Sequence, residues 1–113
     1  MLASSHRLRS AADIARVYKR GSYGGSGGAL SVKAVSSGRP DYRLVVVVGK
    51  KVSKKAVVRN TIRRKLVELV RTNQATVPGG YDIVVSVHAD ISQLATSALA
   101  AHLTKALGRA GVV

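Results

Sequence analysis

The chain has 113 residues, 46% of them hydrophobic, with 19 Lys and Arg against 5 Asp and Glu and a formal net charge of +14. That length holds one layered core and is short for two, so residues 1–113 are read as a single domain. No run of about 18 apolar residues exists to span a bilayer. The short, polar, basic start does not resemble a secretory signal. The absence of cysteine excludes a disulfide framework and a thiolate zinc site, and fits a reducing compartment. The expected setting is the cytoplasm, and the expected partner a polyanion, with nucleic acid ahead of an anionic membrane.

In chain order, Ser10 and Asp13 have capping-box spacing, and Ala11, Ile14, Val17 and Tyr18 follow at helical intervals until Gly21. This predicts a short first helix. Residues 21–28, G-S-Y-G-G-S-G-G, carry much backbone freedom and little apolar surface, which predicts a flexible loop. Leu30, Val32 and Ala34 alternate with Ser31 and Lys33, the pattern of a strand with one buried face, closed by a turn over 36–41. The register of Ser31 and Lys33 is open by one residue, because the glycine-rich stretch offers no anchor. Residues 43–48 are rich in β-branched side chains and predict a second strand, placed centrally in its sheet.

Between Lys50 and Arg71 lie nine of the nineteen basic residues, Lys50, Lys51, Lys54, Lys55, Arg59, Arg63, Arg64, Lys65 and Arg71, against the single acid Glu68. Read as a helix over 56–72, the segment puts Val58, Ile62, Leu66, Leu69 and Val70 on one arc. Asn60, Arg63, Arg64 and Arg71 fall on the neighbouring arc, with Arg59 at the border. A merely solvated helix interleaves both signs to gain i,i+4 pairs. Here like charges face one another, so the missing counter-charge belongs to a partner. After Pro78, Gly79 and Gly80, residues 81–87 read as a further strand. Asp90 or Ser92 then caps a last helix whose stripe is Ile91, Leu94, Ala95, Ala98, Leu99, Leu103, Ala106 and Leu107. The order is α-β-β(-β)-α-β-α, an α+β single-domain sandwich with helices on a small sheet. Strands 43–48 and 81–87, joined through the basic helix, should be parallel neighbours.

Nothing in the sequence assembles a protein-borne active site. Asp13, Asp41, Glu68, Asp82 and Asp90 are dispersed, with no paired acids of the kind that hold two catalytic metals. His6, His88 and His102 stand apart and read as surface or edge histidines. No G-x-x-x-x-G-K-[ST] spacing supports a triphosphate site. Tyr18 lies beside Ile14 on the first helix and fits either core packing or stacking on a nucleobase.

Residues 48–66, V-G-K-K-V-S-K-K-A-V-V-R-N-T-I-R-R-K-L, resemble the signature of the protein subunit of bacterial ribonuclease P. The resemblance extends to R-L-R-S-A-A-D-I-A-R-V-Y-K-R-G at 7–21, similar to the family's first helix, and to G-G-Y-D-I-V-V-S-V at 79–87, similar to its last strand. Four positions depart from the family pattern. Ile14 stands where Phe is usual and leaves Tyr18 as the main aromatic of the presumed groove. Arg63 replaces Lys, keeping the charge and adding a bidentate fork. Val67 stands where Arg is frequent, and Gly49 takes a small Ser or Ala position.

The resemblance implies a protein that breaks no bond itself. A catalytic RNA subunit holds Mg²⁺ and cuts precursor tRNA at its 5′ end, and no protein partner or membrane is required. It implies catalytic-RNA contacts at Lys50, Lys51, Lys54, Lys55, Arg59, Asn60, Arg63, Arg64 and Lys65. It also implies a groove for the single-stranded 5′ leader at Ile14, Tyr18, Ser31, Lys33 and Arg43, with no catalytic and no metal-binding residue. The family's β-α-β crossover around the basic helix is left-handed, against the general right-handed rule. Two other classes share parts of the pattern. A structural ribosomal-type RNA-binding protein has the same charge and size without a leader groove. A helix-turn-helix DNA binder needs a second helix close to the basic one, where this chain has Pro78 and a strand.

Overall fold

In the computed structural model, which describes residues 2–113, Ser10 ends the extended entry and its hydroxyl accepts from the Asp13 amide at 3.4 Å. That cap starts α1 (Ala11–Arg20), and Gly21 stops it. There follow β1 (Ser22–Gly25), β2 (Leu30–Ser36), β3 (Arg43–Val48), α2 (Ala56–Arg71), β4 (Tyr81–Val87) and α3 (Thr96–Arg109), with a 3-10 turn at Ser4–His6 ahead of α1. The four strands form one sheet in the order β1-β2-β4-β3. β4 runs antiparallel to β2 and parallel to β3, so the two strands flanking the basic helix are parallel neighbours as expected.

Strand alternation gives the sheet two apolar faces. Leu30, Val32, Ala34, Leu44, Val46, Ile83 and Val85 point to one side, where α2 contributes Ile62, Leu66 and Leu69 and α3 contributes Leu99, Leu103 and Leu107. Val84 points to the other, where Leu8 and Val17 cover it with help from Ile14, Val35 and Val45. The larger core therefore lies under α2 and α3. The ten-residue α1 covers only part of the opposite face.

Three expectations need correction. The glycine-rich stretch 21–28 is not all loop, because Ser22–Gly25 pairs antiparallel with β2, Tyr23 opposite Lys33 and Gly25 opposite Ser31. Ser26 closes the hairpin, its hydroxyl donating to the Leu30 carbonyl at 3.1 Å and accepting from the Leu30 amide at 3.2 Å. The strand 43–48 is an edge strand, not a central one. Its burial comes from α2 above it and from the N-terminal segment, where the Leu8 amide bonds the Leu44 carbonyl at 3.1 Å. The last helix begins at Thr96, later than Asp90 or Ser92 implied. The Asp90 carboxylate accepts the Ser92 amide and hydroxyl at 3.0 and 2.6 Å in a local turn, so Ile91 reaches the core from that turn and Leu94 stays partly exposed.

Gly24 explains how so small a sheet receives α3. A Cβ at residue 24 would lie 2.2 Å from the Ala106 carbonyl oxygen and 2.4 Å from the Ala110 amide nitrogen, both backbone atoms. Gly24→Ala is expected to lower stability by about 1–3 kcal/mol through this overlap. Gly108→Ala, a helical position with no neighbour within 4 Å, is expected to raise it by about 0.5–1 kcal/mol. Denaturant midpoints of the two variants check the opposite signs.

Candidate RNA interface

Helix α2 buries Ile62, Leu66, Leu69 and Val70, so its 3.6-residue period turns the basic residues outward along one side. Asn60 and Arg64 are exposed and Arg59, Arg63 and Lys65 half-buried. Arg59 donates to the Ser53 carbonyl at 2.9 Å, which ties the helix entry. Arg63 donates to Asn60 and Arg64 to Thr61. These contacts orient the guanidinium groups and leave their charge uncancelled. Lys65 turns away from this arc and donates to the Ser92 carbonyl, bracing the β4–α3 connection. Lys50, Lys51, Lys54 and Lys55 are exposed around the turn that leads into α2. No side chain caps the helix at Lys55, so its first amides point toward the same lysine-rich entry. Glu68 is bound to Arg71 at 2.7 and 2.8 Å, and this pairing brings its pKa down to about 2. The only acid of the segment thus stays charged, paired with Arg71 at the C-terminal end of the helix.

The sheet face beyond α1 is the second surface. Lys33 donates to the Tyr18 carbonyl at 2.9 Å and sits 6.0 Å from the Tyr18 ring centroid, which brings two of the residues assigned to the groove together. Tyr18 is 44% exposed, so its ring is not core. Ile14 is half-buried among Leu8, Val17 and Val84 and serves α1 packing. The strand register puts Ser31 on the same face as Lys33, but Ser31 is buried, its hydroxyl 2.7 Å from His88 Nε2. His88 is therefore the exposed group at that end.

Arg43 lies on the same sheet face as Lys33, next to α1, and is held there by carboxylates. Its guanidinium binds both Asp82 carboxylate oxygens at 2.8 and 2.7 Å and reaches Asp13 at 3.3 Å. Arg16 of α1 joins at 2.6 Å from Asp82. The Asp82 hydrogen bond, the largest influence, raises the Arg43 pKa further above its ordinary value. Asp82 is fully buried, so this cluster clamps α1 to β3 and β4 and leaves Arg43 little freedom to meet a ligand.

Sequence reasoning missed Tyr23. Its ring is 62% exposed on β1, opposite Lys33, so the sheet edge next to Lys33 carries a second exposed aromatic. The one signal was a lone Tyr23 among glycines, too weak to mark a strand without knowing its partner. Among the described residues no three His, Asp or Glu side chains gather into a metal-holding group, and no helix is long and apolar enough to cross a membrane.

A cationic helix on one face of the sheet and an open opposite face carrying two tyrosines and a lysine are the surfaces of a nucleic-acid-binding protein. Residues 2–111 match the Ribonuclease P family. The chain is 40% identical over 89 residues to the ribonuclease P protein component of a Pseudanabaena species, covering 77% of this chain and 75% of that one. It is 34% identical over 110 residues to the component from Acidothermus cellulolyticus, covering 96% and 91%. Its fold superposes on the RNase P protein of Staphylococcus aureus with a TM-score of 0.80 at 26% identity, over 95% of this chain and 96% of that one. The Thermotoga maritima RNase P protein gives 0.79 at 29% identity, over 91% and 96%. The chain belongs to the ribonuclease P protein family, the protein subunit of the bacterial ribonucleoprotein that removes the 5′ leader from precursor tRNA.

Proposed function

We propose that this chain, acting as one RNA-binding domain, divides its work between the two surfaces. The α2 arc of Arg59, Asn60, Arg63 and Arg64, with Lys50, Lys51, Lys54 and Lys55 at its entry and Lys65 bracing it, holds the catalytic RNA through phosphates. The single-stranded 5′ leader lies on the sheet face beside α1, against Tyr18, Tyr23 and Lys33. Ser31 acts through His88, and Ile14 and Arg43 act by holding α1 in place. The observation that carries this reading is the α2 arc, whose segment has one acid, itself tied to Arg71. Mg²⁺ is held by the RNA subunit, where it supplies the activation of water. The protein's part is to fix the leader, and with it the scissile phosphate, relative to that RNA.

The leader surface has a direct test. Tyr18→Ala in the assembled enzyme is expected to weaken precursor tRNA bearing a leader of several nucleotides by about 1–2 kcal/mol, from lost stacking, with mature tRNA nearly unaffected. Tyr23→Ala should act in the same direction. Ile14→Phe, entering a half-buried contact with Val17 and Val84, should mainly strain α1. Equal losses on both RNAs from Tyr18→Ala would mean that the ring serves packing and not the leader.

A further inference from the structure

Between the N-terminal segment, the outer edge of β3 and α2 lies a hollow of about 570 Å³ that opens alongside the α2 arc. Its floor is apolar, with buried Leu8 and half-buried Val45 and Val67, and Arg9, Arg63 and Arg64 stand among its lining residues. Arg7 donates to the Leu2 carbonyl at 2.9 Å and fixes the N-terminal side of the hollow. Glu68 also lines it and is paired with Arg71. We propose that this hollow takes one unstacked nucleotide of the catalytic RNA, the base on the valine floor and its phosphates on the arginines. The inference rests on the RNA-binding role proposed for α2 and extends it from phosphate contacts to a base.

Two observations select that occupant. A phosphate alone needs the arginines but not the apolar floor, and an apolar side chain of another protein needs the floor but would leave guanidinium groups of one sign unmatched. A nucleotide uses both, since single-stranded bases are bound by stacking on apolar or guanidinium planes while phosphates take the charge. The hollow is within the size range that encloses a small ligand. Arg63 and Arg64 also belong to the α2 arc, so an RNA already lying on that helix passes the mouth of the hollow. Val67 is decisive, because it leaves apolar floor in line with Arg63 and Arg64 on the same helix.

The experiment probes a bacterial ribonuclease P RNA with base-modifying reagents and, separately, with a backbone-cleaving reagent, with and without the full chain. The wild type is expected to shield at least one unpaired base. Val67→Glu should expose that base again and weaken RNA binding about tenfold, the size expected for one stacked base, while backbone protections along α2 persist. Arg9→Ala, an exposed position that leaves the core intact, should expose the same base partly and lower the salt slope by about 0.7–0.9. It decides the matter if Val67→Glu does not fold. Base protections identical in the wild type and in folded variants would overturn the inference. Absence of backbone protection even in the wild type would instead remove the α2 reading itself.

Discussion

Asp82→Ala is expected to cost about 2–4 kcal/mol of folding stability, because removing one partner of a buried ion cluster leaves the others desolvated and unmatched. Asp82 is fully buried, while the Arg43 and Arg16 side chains paired with it are 18% and 36% exposed. Water screening at Arg16 keeps the loss below that of a wholly buried pair. Arg43→Ala should cost a similar amount, since the buried carboxylate then keeps only Arg16. The double variant should lose less than the sum, the mark of two residues in one network. The functional consequence follows from position. Arg16 lies on α1 and Asp82 on β4, so loosening the cluster should blunt discrimination between leader-bearing and mature tRNA while affinity for the catalytic RNA through α2 persists. Urea midpoints for the two single variants and the double check the energetics. A loss under about 0.5 kcal/mol, the size of an ordinary surface change, would show that the cluster does not hold α1.

Replacing Arg59 and Arg64 together with Ala should act in the opposite compartment of the molecule. Each lost phosphate contact removes about 0.7–0.9 from the slope of log affinity against log salt, so the pair should flatten it by about 1.4–1.8. At 0.1 M salt that slope change corresponds to catalytic-RNA binding weaker by roughly 25- to 60-fold. Folding stability should fall by no more than about 1–1.5 kcal/mol, the size of the lost Arg59–Ser53 hydrogen bond, because Arg64 is exposed and the change relieves like-charge repulsion. Titrations at several salt concentrations separate the electrostatic loss from any general weakening. An unchanged slope in a folded protein would move the RNA site off this helix.

Much of this arrangement was legible in the amino-acid order because it is local. The alternation through Leu30 to Ala34 and the helical spacing of Ile62, Leu66 and Leu69 place each residue on its face without knowledge of the rest of the chain. Both patterns reappear in the burial of those residues. What escaped was long-range. β1 exists because β2 lies beside it and α3 approaches at Gly24, contacts that a string of glycines does not announce. β3 reads as central because its aliphatic residues are continuous, yet it is the last strand of the sheet and its outer edge meets the N-terminal segment at Leu44. Arg43 reads as a free cation at the start of a strand, and its carboxylate partner is 39 residues away. Asp90 and Ser92 carry helix-cap chemistry spent on a turn four residues early. The proposed leader surface was therefore half visible: Tyr18 and Lys33 belonged to legible elements, whereas Tyr23 and His88 acquired their places only through pairing and the Ser31 contact.

The account stands most directly on where the chemistry resides. The purified chain, a bacterial ribonuclease P RNA and a precursor tRNA are assayed in Mg²⁺ separately and in combination, at a salt concentration where the RNA alone is slow. The account predicts no cleavage by the chain alone and, with the RNA added, a single cut leaving a 5′-phosphate at the mature end of the tRNA. Site-specific cleavage by the RNA-free chain, or no effect of the chain on the RNA's reaction, would contradict it.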